Sequence, residues 1–299
     1  MTVYSPLSKS CTVRLVKTIP VDELVKIWSK RYQIDVKDFF ENILELHEYE
    51  CLESGLVFYS KQARGGDSKF YGQLQNLAWY YEEDKWEFQR ALSDISPMDS
   101  VLEVGSGSGY FLSKLHQRKQ SKILGLELNK SGAQSCQEKG LDVREELLDD
   151  FAVTTTEKFD VVCSFQVLEH VEEPLAFLEA QILLLKQGGQ LIISVPNGES
   201  FLAKQDCALL NMPPHHLSRW TVKTAKYLAE KLELELKKVE FEPLAKCHVP
   251  EYVDAYFSCL PNIPKLKGLM IYIIRFIISF SVIRKQLKGH TLYMVFNKR

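Results

Sequence analysis

Between residues 98 and 197 the chain alternates between short, almost continuously apolar runs and stretches with helical periodicity, and this alternation limits its fold most. The spacing predicts strands at Ser100–Val104, Lys122–Leu128, Leu141–Arg144, Phe159–Phe165 and Gln190–Val195. Helices are expected at Tyr110–Arg118, at Lys130–Lys139 up to Gly140, and at Pro174–Lys186, where Pro174 lies in the first turn and Gly188-Gly189 follows the end. Runs that are apolar on both faces belong to parallel strands covered by helices on both sides. Two more strands, Glu233–Phe241 and Thr291–Phe296, follow a helical stretch at Leu217–Leu232. The fold class expected is α/β, a Rossmann-like, seven-stranded, mostly parallel sheet with helices on both faces, plus a smaller α+β N-terminal domain.

Residues 1–78 are assigned to that N-terminal domain and 79–299 to the larger one. The first has helical stretches near 21–31 and 36–48, then the aromatic-rich FYGQLQNLAWYY at 70–81. The second carries an apolar, basic helical insertion at about 262–288. Its core, GLMIYIIRFIISFSVI at 268–283, is shorter than the roughly 20 residues of a membrane span and has Arg275 at its centre. After Asp254 there is no acidic residue, yet eight basic ones follow. A helix packed on the domain or in a homodimer contact is one reading of 268–283; peripheral contact with an anionic membrane surface is the other.

A net charge of −2 over 299 residues argues against a dedicated nucleic-acid partner. The seven cysteines are odd in number and scattered, which suits a reducing compartment. The N-terminal MTVYSPLSKSC lacks the apolar run of a secretory signal, so a cytoplasmic location is expected.

The motif VLEVGSGSGYF, residues 101–111, carries the most chemistry. A strand entering Gly105-Ser106-Gly107-Ser108-Gly109 and then a helix lets a ligand lie against backbone at a helix N-terminus. Tyr110 stands where the dinucleotide fingerprint needs glycine, and no Lys-Ser/Thr follows as a P-loop requires. Glu103 suits a cationic or amino-bearing ligand, and Glu127 at the end of the second strand can accept both hydroxyls of a ribose.

These residues, with FDVVCSFQVLEHVEEP and LKQGGQLIISVPN, resemble the class I S-adenosylmethionine-dependent methyltransferases over residues 98–197. The resemblance implies that Gly105, Ser106 and Gly107, with Gly109 closing the turn, hold the methionine part of S-adenosyl-L-methionine. It implies Glu103 near the amino group, Glu127 on the ribose with Leu128 beside it, Glu146 and Leu147 flanking adenine, and Phe165 and Gln166 lining the site. Glu145 and Asp149 are close enough to compete for the adenine role.

Methyl transfer requires in-line alignment and often a base. The loop after the fifth strand, NMPPHHLSRW, offers His215 and His216 as bases or acceptor contacts, with Arg219 as a further acceptor residue; Ser218 could instead cap a helix there. A second constellation, SFQVLEHV, places Glu169 and His170 after the fourth strand. Ubiquinone-type and small-RNA methyltransferases have a metal-binding Glu-x-x-Glu-His here, the RNA enzymes adding a later histidine. This chain has Gln166 at the first glutamate, so no functional metal is expected, and Glu169 and His170 are read as ordering the loop or touching acceptor.

YYEEDKWEF (80–88) and PPHHLSRWT resemble a narrower group, the bacterial methyltransferases of sugar and surface-glycan biosynthesis. Their N-terminal zinc pairs correspond here to Ser5-Pro-Leu-Ser8 and Cys51-Leu-Glu-Ser54, and one thiolate cannot close a tetrahedral site. The resemblance implies an N-terminal domain without zinc that covers the acceptor site, with Tyr80, Tyr81 and Trp86 as lining candidates. The activity expected is methyl transfer from S-adenosylmethionine to a sugar or glycan intermediate. The alternatives are O-methylation of a quinone-like or phenolic small molecule, and a cofactor-binding protein without catalysis.

Overall fold

The computed structural model describes residues 2–60, 63–75, 77, 84–118, 122–205, 208–257 and 266–299, without the side chains of Ser68 and Gln75. Strand β1 (Val13–Pro20) leads into helix α1 (Val21–Tyr32). Asp22 and Glu23 in the first turn of α1 and Lys30 and Arg31 in the last match the helix dipole, and Val21, Leu24 and Trp28 form its buried face. Strand β2 (Glu45–Cys51) pairs antiparallel with β1 and with β3 (Val57–Tyr59). Residues 36–48 therefore do not form the helix that the sequence suggests. They make a 3-10 turn at Lys37–Phe40 and then enter β2, because neighbours on both sides of β2 satisfy its backbone. Helix α2 (Ser68–Gln75) brings Phe70 edge-on to Trp28, with ring centroids 5.5 Å apart.

Helix α3 (Trp86–Asp94) precedes the larger sheet. There β4 (Ser100–Val104), α4 (Tyr110–Gln117), β5 (Lys122–Leu126), α5 (Lys130–Glu138), β6 (Val143–Arg144), α6 (Leu148–Thr154), β7 (Phe159–Phe165), α7 (Pro174–Leu183) and β8 (Leu185–Pro196) alternate. Side chains alternate across β4 and β7: Val101, Val161 and Cys163 enter one apolar cluster, Leu102 and Val162 the other. Helix α7 stops earlier than its apolar run suggests, since Leu185 already pairs with Phe159. Lys186–Gly189 then bulge before Gln190 pairs with Val161.

Strand β9 (Ser218–Arg219) leaves the larger sheet and pairs with β3, so the later chain completes a four-stranded N-terminal sheet in the order β1-β2-β3-β9. Helix α8 (Val222–Lys231) is accordingly shorter than predicted. Thr221 caps it, accepting from Thr224 N, while the expected cap, Ser218, accepts the indole N–H of Trp220 at 3.0 Å. Strand β10 (Leu234–Pro243), helices α9 (Val249–Phe257), α10 (Leu266–Ser279) and α11 (Ser281–Arg284), and strand β11 (Lys288–Lys298) end the chain. The seven-stranded sheet runs β10-β11-β8-β7-β4-β5-β6, and β11 is antiparallel to both neighbours. Among the described residues, no helix is long and apolar enough to cross a membrane.

Candidate active site

The carboxyl ends of β4, β5 and β7 meet at the glycine turn. Gly105 has φ of +79°, and a Cβ there would stand 2.6 Å from Val167 Cγ2, so both backbone and neighbour require glycine. A Cβ on Gly107 would meet nothing within 4 Å, which leaves open space over that peptide. Gly109 (φ +76°) is the N-cap of α4. Glu127 grips the turn: Gly107 N donates to its Oε2 at 2.6 Å and Asn129 N to its Oε1 at 2.7 Å. Buried Ser106 lies over β5, its Oγ 3.5 Å from the Leu126 carbonyl.

Glu103 is buried, and its Oε2 has no hydrogen-bond partner. Burial first, and the charge of Glu127 second, push its carboxyl well above the usual range. A buried carboxyl with one oxygen left without a partner, beside the acidic Glu127 at an open turn, suits a cationic ligand, and S-adenosylmethionine carries a sulfonium and an ammonium. Beside them Leu128 and Leu147 are 61% and 53% exposed, unusual for leucines next to a turn and suited to a flat apolar ring. Glu146 is partly buried next to Leu147, the N-cap of α6. Phe165 packs against Phe88 and Phe111, centroids 5.2 and 4.8 Å away.

The histidines meet a short distance on. A 3-10 turn, Leu168–His170, follows β7, and Leu217 N donates to the Glu169 carbonyl at 2.8 Å, clipping the Pro-Pro-His-His loop to it. Gly66 N holds the same loop through the Pro214 carbonyl at 2.8 Å. The His215 and His216 rings stack with centroids 4.2 Å apart, and the His170 ring stands edge-on to both at 4.9 and 4.7 Å. Ligand atoms of the three lie within 4.8 Å of one another. Glu169 Oε1 is 3.8 Å from His170 Nε2 and 3.9 Å from His216 Nε2.

The Nδ1 of each ring faces an oxygen acceptor. His170 Nδ1 lies 2.5 Å from the His215 carbonyl, His215 Nδ1 2.8 Å from the Leu210 carbonyl, and His216 Nδ1 3.2 Å from the Asn211 amide oxygen. A carbonyl only accepts, so Nδ1 carries the proton and Nε2 keeps its lone pair. Burial lowers His170 to about 4 and His215 to about 3, and holds His216 well below its ordinary value, so all three are neutral imidazoles at pH 7. Both Glu169 oxygens are buried without partners, and burial raises this carboxyl to about 8. A partnerless carboxyl beside oriented imidazoles is a donor set that fits a divalent cation, whose binding would displace the carboxyl proton.

Other candidates fall elsewhere. Gln166 (φ +55°) turns its amide to Glu87 Oε1 at 3.2 Å and Ser194 Oγ at 3.4 Å. Arg219 pairs with buried Glu48, which also accepts from Tyr59 at 3.1 Å, so it fastens β9 to the N-terminal sheet. Trp86 packs edge-on to Tyr293 at 6.1 Å. Tyr80 and Tyr81 lie outside the described residues. Sequence reasoning missed Glu87, buried on α3 with a raised pKa, Asn211, and Tyr71, whose hydroxyl is 2.9 Å from His170 Nδ1. Each lies in a stretch marked for other residues, YYEEDKWEF, NMPPHHLSRW and FYGQLQNLAWYY, and nothing in its own type or spacing marks it.

The serine-rich pairs do converge. Leu7 N and Ser8 N donate to Ser5 Oγ, Ser54 N to Cys51 Sγ and Leu56 N to Ser54 Oγ, and Ser8 Oγ stands 3.3 Å from Cys51 Sγ. Two turns thus face each other, joined by hydrogen bonds.

Curated relatives match part of the chain. A mitochondrial ubiquinone biosynthesis O-methyltransferase of Dictyostelium discoideum is 29% identical over 35% of this chain and 37% of its own length. Those of Actinobacillus pleuropneumoniae and Cereibacter sphaeroides are 34% and 33% identical, over 32% and 40% of this chain and 45% and 51% of their own lengths. The chain thus spans about half or less of the length of these relatives. A SAM-dependent methyltransferase from Archaeoglobus fulgidus shares the fold, with a TM-score of 0.53 at 17% identity over 78% of this chain and all of the other. The methyltransferase domain family matches residues 77–239, more than half of the sequence. This chain belongs to the methyltransferase domain family.

Proposed function

We propose that this protein is an S-adenosylmethionine-dependent O-methyltransferase acting on a small phenolic or quinone-like acceptor, with a divalent cation held by Glu169, His170, His215 and His216. The observation that carries the reading is the partnerless Glu169 carboxylate facing His170 and His216 Nε2. Such a cation supplies Lewis acidity toward an acceptor hydroxyl. The protein's own groups do the rest. Glu103 answers the donor's positive charge, Glu127 takes its ribose, the 105–109 turn receives its methionine part, and Leu128 and Leu147 flank its adenine. Three imidazoles with one carboxylate favour borderline transition-metal ions over Mg²⁺. The expectation of no metal rested on Gln166. The two histidines of the later loop compensate for that lost carboxylate, and rings titrating far below neutrality suit ligands better than general bases.

The relatives named for ubiquinone biosynthesis support a phenolic or quinone-like acceptor. A sugar or glycan intermediate is the second reading, favoured by the facing turns at Ser5–Ser8 and Cys51–Ser54. The test is calorimetric titration with S-adenosylhomocysteine, followed by methyl-transfer assays on catechols and nucleotide sugars with the protein stripped by EDTA and then resupplied with Mn²⁺, Co²⁺ or Zn²⁺. Catechol methylation that needs the ion supports the reading. Metal-independent turnover on nucleotide sugars would replace it with the second.

A further inference from the structure

Among the described residues, helix α10 is packed on one side only. Ile271, Ile274 and Ile278 face a small cluster with Val249, Val253, Phe201 and Leu244. On the other side Leu269, Tyr272, Ile273, Phe276, Ile277 and Phe280 are exposed, and Val282 of α11 is 74% exposed. This spacing of three and four residues makes one continuous apolar ridge on the helix surface. Fourteen residues span about 21 Å, too short for a hydrocarbon core of roughly 30 Å. Basic residues outnumber acidic ones around it: Lys267, Arg275, Lys285 and Lys288 follow one another along the chain, against Glu251 and Asp254 on α9, and the sequence has no acidic residue after Asp254. Arg275 is paired with Asp254 at 2.8 Å, while Lys285 and Lys288 are exposed just C-terminal to α11, the Lys288 ammonium 4.0 Å from the Phe241 ring centroid.

We infer that the α10–α11 ridge docks on the surface of an anionic lipid bilayer, with its aromatic and aliphatic side chains at the headgroup–acyl boundary and its lysines among the phosphates. Charge decides between this occupant and a second copy of the chain. A two-fold dimer would press one basic patch against its equal, whereas an anionic surface complements it. The docked face also bears on the active-site edge: α9 packs on the loop after β8, with Phe201 and Tyr252 centroids 5.9 Å apart. The inference does not depend on the identity of the acceptor.

The experiment is co-sedimentation of the full chain with vesicles of phosphatidylcholine alone and of phosphatidylcholine with 30% phosphatidylglycerol. We expect binding to the anionic vesicles on the order of tenfold tighter, weakened in 0.5 M NaCl. The variants Ile273→Glu/Phe276→Glu and, among the exposed lysines that follow α11, Lys285→Glu/Lys288→Glu should each weaken it about tenfold or more while S-adenosylhomocysteine binding is retained. Should the apolar variant not fold, the lysine variant and a Tyr272→Trp emission shift toward the blue on anionic vesicles decide the matter. Equal sedimentation of wild type and lysine variant overturns the inference. So does a lipid-free dimer that Phe276→Glu converts to monomer without any vesicle binding by the wild type.

Discussion

His216 Nε2 and Glu169 Oε1 approach to 3.9 Å across 47 positions of sequence, and no hydrogen bond closes the gap. Two groups this close, buried and unjoined, are held apart by the packing of two loops. His170, His215 or His216 replaced by alanine should lower turnover by on the order of 100-fold while leaving S-adenosylhomocysteine affinity within about twofold. Single-turnover methyl transfer and calorimetry measure the two effects. Full turnover in all three variants would leave the cluster a packing feature.

The same carboxyl sets a pH dependence. An unfolded Glu169 ionises above its ordinary 4.5, whereas the folded carboxyl holds its proton to about 8. Between these values the unfolded chain binds fewer protons, so cation-free stability falls as pH rises. Glu169→Gln removes this contribution, and should stabilise the cation-free protein at pH 8 relative to wild type by on the order of 2 kcal/mol while abolishing turnover. Denaturant melts of both proteins at pH 5 and pH 8 test the sign; a difference that does not grow with pH defeats the argument.

Glu127→Ala should weaken S-adenosylmethionine binding by on the order of tenfold or more, because the carboxylate both faces the donor site and holds Gly107 N and Asn129 N. Glu127→Gln, which keeps an acceptor oxygen, should recover part of the loss. Unchanged affinity in Glu127→Ala would show that the ribose lies elsewhere.

Gly105→Ala forces a side chain into a φ of +79° and against Val167 at 2.6 Å. It should cost roughly 1–3 kcal/mol of stability and impair donor binding more than any other single methyl added to the turn. Gly107→Ala shares a left-handed backbone, with φ of +54°, but its Cβ meets nothing within 4 Å, so comparison by thermal melt and titration isolates the clash with Val167.

The facing turns of the N-terminal sheet allow a gain-of-function test. Ser5→Cys/Ser8→Cys/Ser54→Cys, with Cys51 retained, should take up one zinc per chain and raise the melting temperature, since four thiolates can close a tetrahedral site. Metal content by mass spectrometry and melts with and without chelator read the result. No zinc uptake would mean that the turns are too far apart for one ion.

Where the chemistry is local, the residues alone determined it. Strand β7 at Phe159–Phe165 coincides with its apolar run, and the 105–109 turn needs glycines for reasons written in its own backbone dihedrals. Neighbours distant in sequence decided the rest. Residues 45–51 became a strand because β1 and β3 flank them, and residues 218–219 left a helical pattern to pair with Val57. Gln166 reads as a damaged metal ligand until Glu87, 79 residues earlier, is seen to hold its amide. His215 and His216 could be bases, ligands or structure by sequence. Only the folded loop aims each Nδ1 at an oxygen, removes water and brings a carboxylate from another loop beside the free nitrogens. Burial and long-range hydrogen bonding set the protonation of those groups, and neither is encoded in the spacing of the residues themselves.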